Sequence, residues 1–127
     1  MALKLILMRH AKSSWDQPVG DHDRALNDRG YSSASTMGVW LKSCGHLPQE
    51  ALISTARRTR DTFYGLQVTT EHVEFMSSLY HPSVQNLLSA LQSATAPSVI
   101  LISHNPGITE FAGLLARDPP SHDRFYD

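Results

Sequence analysis

Two histidines and a cluster of arginines stand where this 127-residue chain could handle an anion. Arg9 and His10 follow directly on the apolar run from Leu3 to Met8, and His104 follows the apolar run from Ser98 to Ile102 after one serine. Arg57, Arg58 and Arg60 crowd the segment just beyond Ala51-Leu52-Ile53. Guanidinium groups donate forked hydrogen bonds to phosphate or carboxylate oxygens, which a lysine point charge does with less direction. An imidazole can serve as a nucleophile or exchange a proton near neutral pH. Taken singly, each feature has a plainer reading. Arg9-His10 is then a polar strand end, His104 a brace for the Asn105-Pro106-Gly107 turn, and the arginines a solvated helix face. The chemical reading depends on the three segments meeting.

The elements that would bring them together are legible as periodicity. Leu3 to Met8 is a nearly continuous apolar run, the pattern of a strand buried on both faces. A polar stretch from Lys12 to Asp28, with Pro18 and Gly20, reads as a long loop of the kind that often carries function. Asn27 is placed as an N-cap, and Ala34, Met37, Trp40, Leu41 and Cys44 recur at helical steps, predicting one apolar helix face that ends at Gly45. Ala51 to Ser54 reads as a strand, Ala56 to Leu66 as a helix broken by Gly65, and part of Val68 to Phe75 as a further strand rich in Val and Thr. Pro82-Ser83 can open a helix bearing Val84, Leu87, Leu88 and Leu91 on one side. Ser98 to Ile102 is a fourth strand and Ile108 to Ala116 a last helix. Residues 117–127 show no clear element.

Strict alternation of strand and helix predicts an α/β fold, a three-layer α/β/α sandwich with a mostly parallel central sheet. Ligands in such sheets bind beyond the carboxyl ends of the strands. Arg9-His10, the segment Ser54 to Arg58, and Ser103-His104 all lie at such ends.

Composition narrows the partners. The length suits a single domain spanning 1–127. A net charge of −1 argues against broad nucleic-acid binding, and no apolar run approaches a membrane span. A lone cysteine, Cys44, forms no internal disulfide, so a reducing, cytoplasmic setting is expected, with Cys44 itself a small buried hydrophobe. His22, His46, His72, His81 and His122 follow no metal-ligand spacing.

The segment Met8-Arg9-His10-Ala11-Lys12-Ser13-Ser14-Trp15 resembles the opening motif of the histidine phosphatase superfamily, in the form found in SixA-type phosphohistidine phosphatases. Asp23-Arg24-Ala25-Leu26-Asn27-Asp28-Arg29-Gly30 is similar to the next block of that family. Ser54 to Thr62 resembles its serine-to-threonine segment, Leu79-Tyr80 a further element, and Ser103-His104-Asn105-Pro106-Gly107 the block with the second histidine. These blocks run in order from residue 3 to about residue 115. The resemblance implies a phosphoglycerate mutase-like fold and a phosphatase that needs neither metal nor cofactor. It implies His10 as the nucleophile, a phosphohistidine enzyme intermediate, and Arg9, Arg58 and His104 as the residues that bind the phosphoryl group. Spacing from Ser54 and Thr62 within the family's block selects Arg58 over Arg57 and Arg60.

The chain departs from the wider family at Ala11, in its acid inventory and beyond its last helix. Ala11 stands where many members have glycine. Mutase-like and broad-specificity members use a glutamate as proton donor to the leaving group, yet Met76 to His81, the corresponding stretch, has no carboxylate. Glu74 is expected to face solvent, and Asp16, Asp21 and Asp23 lie in the first loop. An alkoxide leaving group needs a placed acid, whereas the imidazole of phosphohistidine can already hold a proton on its other nitrogen. The expected substrate is therefore phosphohistidine on a protein, with a small phosphorylated molecule or a non-catalytic phosphate-binding module as alternatives. Trp15 is divided between lining the pocket mouth and anchoring the loop, Tyr80 is expected as a packed core or rim aromatic, and Arg24 is expected to form an exposed salt bridge. Family domains usually add an edge strand after the last helix. Residues 117–127 do not supply one, so a truncated or divergent member with an exposed sheet edge is expected.

Overall fold

The computed structural model describes residues 4–116. Its strands are β1 (Lys4–Arg9), β2 (Glu50–Ser54), β3 (His72–Met76) and β4 (Ser98–Ser103). Its helices are α1 (Asp28–Ser43), α2 (Arg57–Leu66), α3 (Val84–Ser93) and α4 (Gly107–Leu115), with short 3-10 turns at Asp21–Asp23 and Ser77–Leu79. The strands form one parallel sheet in the order β1-β4-β2-β3.

Alternation along the strands builds the layers. Leu52, Val99 and Leu101 point to one face and pack with Leu87 and Ala90 of α3 and with Ile108 and Phe111 of α4. Ala51, Ile53, Ile100 and Ile102 point to the other, against Leu41 of α1 and Phe63 and Leu66 of α2. Removing each larger side chain from water contributes roughly 1.5–3 kcal/mol.

The central strands β2 and β4 are buried almost throughout. β1 is only half-buried, contrary to the expectation from its apolar run. It pairs with β4 alone among the described residues.

The helices differ from expectation in detail. Asn27 does cap α1, its Oδ1 accepting from the Gly30 amide at 2.8 Å. The buried stripe of α1, however, is Gly30, Ala34, Gly38 and Leu41, while Met37 and Trp40 are exposed and Cys44 caps the helix in solvent. Close packing of α1 on α2 selects small residues over bulky ones: a Cβ at Gly38 would lie 2.0 Å from the Leu66 carbonyl oxygen. Gly65 does not break α2; it lies inside that helix, facing the Cβ of Ala34. Ser83 and Asn86 form a reciprocal capping box at the start of α3.

Register brings the expected site together. Arg9 lies opposite Ser103, and Ile53 opposite Ile102, so three neighbouring strands end level with one another. The expectations for residues 117–127, and for His122 within them, lie outside the described residues.

Candidate active site

His10 leaves the end of β1 with its amide donating to the Ser103 carbonyl at 3.2 Å. Its Nδ1 lies 2.7 Å from the carbonyl oxygen of Ala11. A carbonyl can only accept, so Nδ1 carries the hydrogen and Nε2 keeps its lone pair. Arg58 Nε donates toward that Nε2 at 3.4 Å. The turn after His10 is fixed from α2: the Ala11 amide donates to Thr62 Oγ1 at 3.0 Å, and that hydroxyl donates to the Arg58 carbonyl at 2.7 Å.

His104 is buried at the end of β4, its ring centroid 5.3 Å from that of His10. Its Nε2 lies 2.7 Å from Ser54 Oγ. Its Nδ1 is buried and has no hydrogen-bond partner among the described residues. An orphaned buried nitrogen is where a ligand atom fits. The shared cavity, about 400 Å³, is lined by all four expected residues: Arg9, His10, Arg58 and His104. Arg58 is almost fully buried, so it is no part of a solvated arginine face, whereas Arg57 is exposed. Arg9 is exposed at the rim.

Electrostatics keep both rings uncharged. Burial pushes the His10 imidazole down to about 4, with Arg58, Arg9 and Arg24 adding to the effect against the Ala11 hydrogen bond. Burial, then Arg58, His10 and His81, push His104 down to about 3 against the pull of Asp21. Loss of the charged form is the expected response of an imidazole that is buried beside cations.

Several pocket residues carry roles that reading the sequence did not assign. Asp21, noted there only as a loop carboxylate, is the centre of a network. Its carboxylate takes Arg24 Nη2 at 3.1 Å, Arg58 Nη2 at 3.1 Å, His81 Nε2 at 3.1 Å and the Tyr80 hydroxyl. The Tyr80 hydrogen bond and the Arg58 and Arg24 guanidinium groups hold its carboxyl well below the usual carboxylate range. Arg24 does form the expected ion pair, but buried rather than exposed, and it also donates to Ser13 Oγ at 2.8 Å. Its guanidinium lies 3.5 Å from the centre of the exposed Trp15 ring, so Trp15 both lines the mouth and anchors the loop. Tyr80 is a rim aromatic and Glu74 is exposed, as expected. The available signal for this network was local: Asp21 precedes Arg24 by three residues, and His81 adjoins Leu79-Tyr80.

Gly30 lets the first loop close on α1, since a Cβ there would lie 2.1 Å from the Lys12 carbonyl oxygen. No helix among the described residues is long and apolar enough to cross a membrane.

Comparison with known proteins bears on the family and the fold. The family model described as Histidine phosphatase superfamily (branch 1) matches residues 5–79. An uncharacterized chloroplastic protein of Arabidopsis thaliana is 34% identical over 89% of this chain, and the chain spans 59% of that relative's length. Among solved structures, a protein assigned as the phosphohistidine phosphatase SixA of Nakamurella multipartitia is 33% identical, with a TM-score of 0.81 over 100% of this chain and 79% of its own. One with the same assignment from Agrobacterium tumefaciens is 28% identical, with a TM-score of 0.79 over 91% of this chain and 75% of its own. With the phosphoglycerate mutase-like architecture and the motif order in agreement, the chain belongs to the histidine phosphatase superfamily, branch 1, among its SixA-type members.

Proposed function

We propose that this protein is a metal-independent phosphatase that removes the phosphoryl group from phosphohistidine on a protein. His10 Nε2 attacks phosphorus in line, the bond to the leaving nitrogen breaks, and a phosphohistidine forms on the enzyme. Water then displaces His10 and releases inorganic phosphate. Arg9 and Arg58 neutralise the equatorial oxygens, and His104, uncharged in the empty pocket, takes up a proton as the phosphate dianion enters, donating from Nδ1 while Nε2 donates to Ser54. The single observation that carries the reading is the Ala11 carbonyl on Nδ1 of His10, which leaves the lone pair on the ring nitrogen beside Arg58.

The substrate class is supported by the acid inventory. Asp21 is the carboxylate that lines the cavity, and it is held ionised by its partners, so no carboxylic acid stands ready for an alkoxide. An imidazole leaving group demands less. Arg9, Lys12 and Trp15 are exposed around the mouth, in keeping with entry of a side chain carried on a protein.

The test is incubation with a labelled phosphohistidine domain without added metal. Phosphate release by the wild type, its loss in His10→Ala, and a label trapped on His10 are expected. Tight binding with no covalent label would instead identify a binding module.

A further inference from the structure

We propose that His81, oriented by Asp21, is a proton donor to oxygen leaving groups, so that the same pocket also hydrolyses phosphate monoesters. The proposal rests on His10 as the phosphoryl acceptor.

His81 lines the cavity together with His10, Arg58 and His104. Its ring centroid is 5.5 Å from that of His104 and 4.2 Å from that of Tyr80. Nε2 lies 3.1 Å from Asp21 Oδ2, and Nδ1 has no hydrogen-bond partner among the described residues. A carboxylate on one ring nitrogen fixes the ring and leaves the other nitrogen to transfer a proton.

The backbone is also held in a costly conformation. His81 has φ +49°, a left-handed value unusual outside glycine and further disfavoured in front of Pro82. Such strain persists only where the surroundings enforce it, and it gathers at functional sites. Here the surroundings are specific: Ser103 Oγ donates to the Leu79 carbonyl at 2.6 Å, and Gly107 admits the Pro82 carbonyl oxygen, which a Cβ would meet at 2.7 Å. The segment carrying His81 is thereby fastened to the turn carrying His104.

The charges around His81 come from several elements. Asp21 faces it from the first loop together with its partner Arg24, Arg58 reaches Asp21 from α2, and uncharged His104 stands at the end of β4. Tyr80 donates its hydroxyl to the same carboxylate, and Arg9 and Lys12 share the cavity wall.

In the first step the P–Nε2 bond to His10 forms and the ester P–O bond breaks. The leaving oxygen keeps the electron pair and takes the Nδ1 proton of His81, departing as an alcohol. In the second step water attacks phosphorus, the P–N bond breaks, and the water proton passes to Nδ1 of His81.

The experiment compares wild type with His81→Gln on p-nitrophenyl phosphate, phenyl phosphate, glycerol phosphate and a phosphohistidine domain. Turnover of phenyl and glycerol phosphate is expected to fall ~10²-fold or more, the usual weight of a general acid. p-Nitrophenyl phosphate and phosphohistidine, whose leaving groups need no donated proton, are expected to change less than about threefold, and His81→Glu to recover part of the ester rate. A uniform loss on all four substrates, or no ester turnover by the wild type, would overturn the proposal. Undiminished ester turnover in His10→Ala would instead remove the nucleophile on which it rests.

Discussion

Arg58 and Asp21 are joined at two points, Nη2 to the carboxylate at 3.1 Å and Nη1 to the main-chain oxygen at 2.7 Å. The outer edge of the guanidinium is therefore occupied, and its Nε edge is the one that faces His10. An almost fully buried cation depends on this partner, and breaking a fully buried pair costs about 3–5 kcal/mol. Asp21 is partly open to solvent, which brings the expected cost for Asp21→Asn to about 1–3 kcal/mol. Thermal unfolding should show a lower Tm for the variant, and inorganic phosphate should raise that Tm by more than it raises the wild type's.

Ser54 tests the second histidine. Ser54→Ala removes the hydroxyl beside His104 Nε2 and leaves a buried imidazole with neither nitrogen partnered. Loss of orientation and of support for the charged ring should lower kcat by ~10–100-fold, with a smaller change in KM. Steady-state kinetics on a phosphohistidine protein measures this. An unchanged kcat would place the work of His104 elsewhere.

Acid should weaken the fold through the two neutral rings. Folded pKa values of about 4 for His10 and about 3 for His104 lie below the ordinary 6.5, so the unfolded chain binds more protons between those limits. Their contribution is complete above pH 6.5 and is lost as pH falls toward about 4 for His10 and about 3 for His104. Tm should decline across that window, less so with bound phosphate, which favours the protonated rings. Denaturation followed by circular dichroism at pH 7 and pH 5, with and without phosphate, would check both parts.

Gly38→Ala tests the helix layer alone. The new methyl would meet the Leu66 carbonyl, which is backbone and cannot swing away, so α1 must shift on α2. Overpacking of this kind costs about 1–3 kcal/mol. Urea denaturation should report that loss, while kcat, measured where the variant is folded, stays close to wild type.

Much of this architecture could be read from residues alone, because its signals are local. Apolar runs marked the strands, Asn27 and Ser83 marked helix starts, and the site residues fell at strand ends, where parallel sheets gather ligands. What stayed hidden was tertiary. The stripe Gly30, Ala34, Gly38 and Leu41 carries little hydrophobic signal, and it wins because it lets two helices approach closely. The louder pattern of Met37, Trp40 and Cys44 faces water. Asp21 looks like any loop carboxylate beside its neighbour Arg24 until the fold delivers Arg58, Tyr80 and His81 to it from distant segments. A half-buried edge strand such as β1 and a fully buried central one such as β4 look alike as short apolar runs.

The sheet order has a consequence for how the molecule is made. β4, the last strand along the described chain, lies between β1 and β2, the first two. On the ribosome those two wait as separate ribbons with nothing to join them, and no amount of early folding can assemble the phosphate cradle. Synthesis at about 5–20 residues per second sets a delay of several seconds before the joining strand emerges. The pocket therefore stays unassembled until the joining strand has emerged, and the waiting apolar ribbons are in most need of a chaperone during that interval.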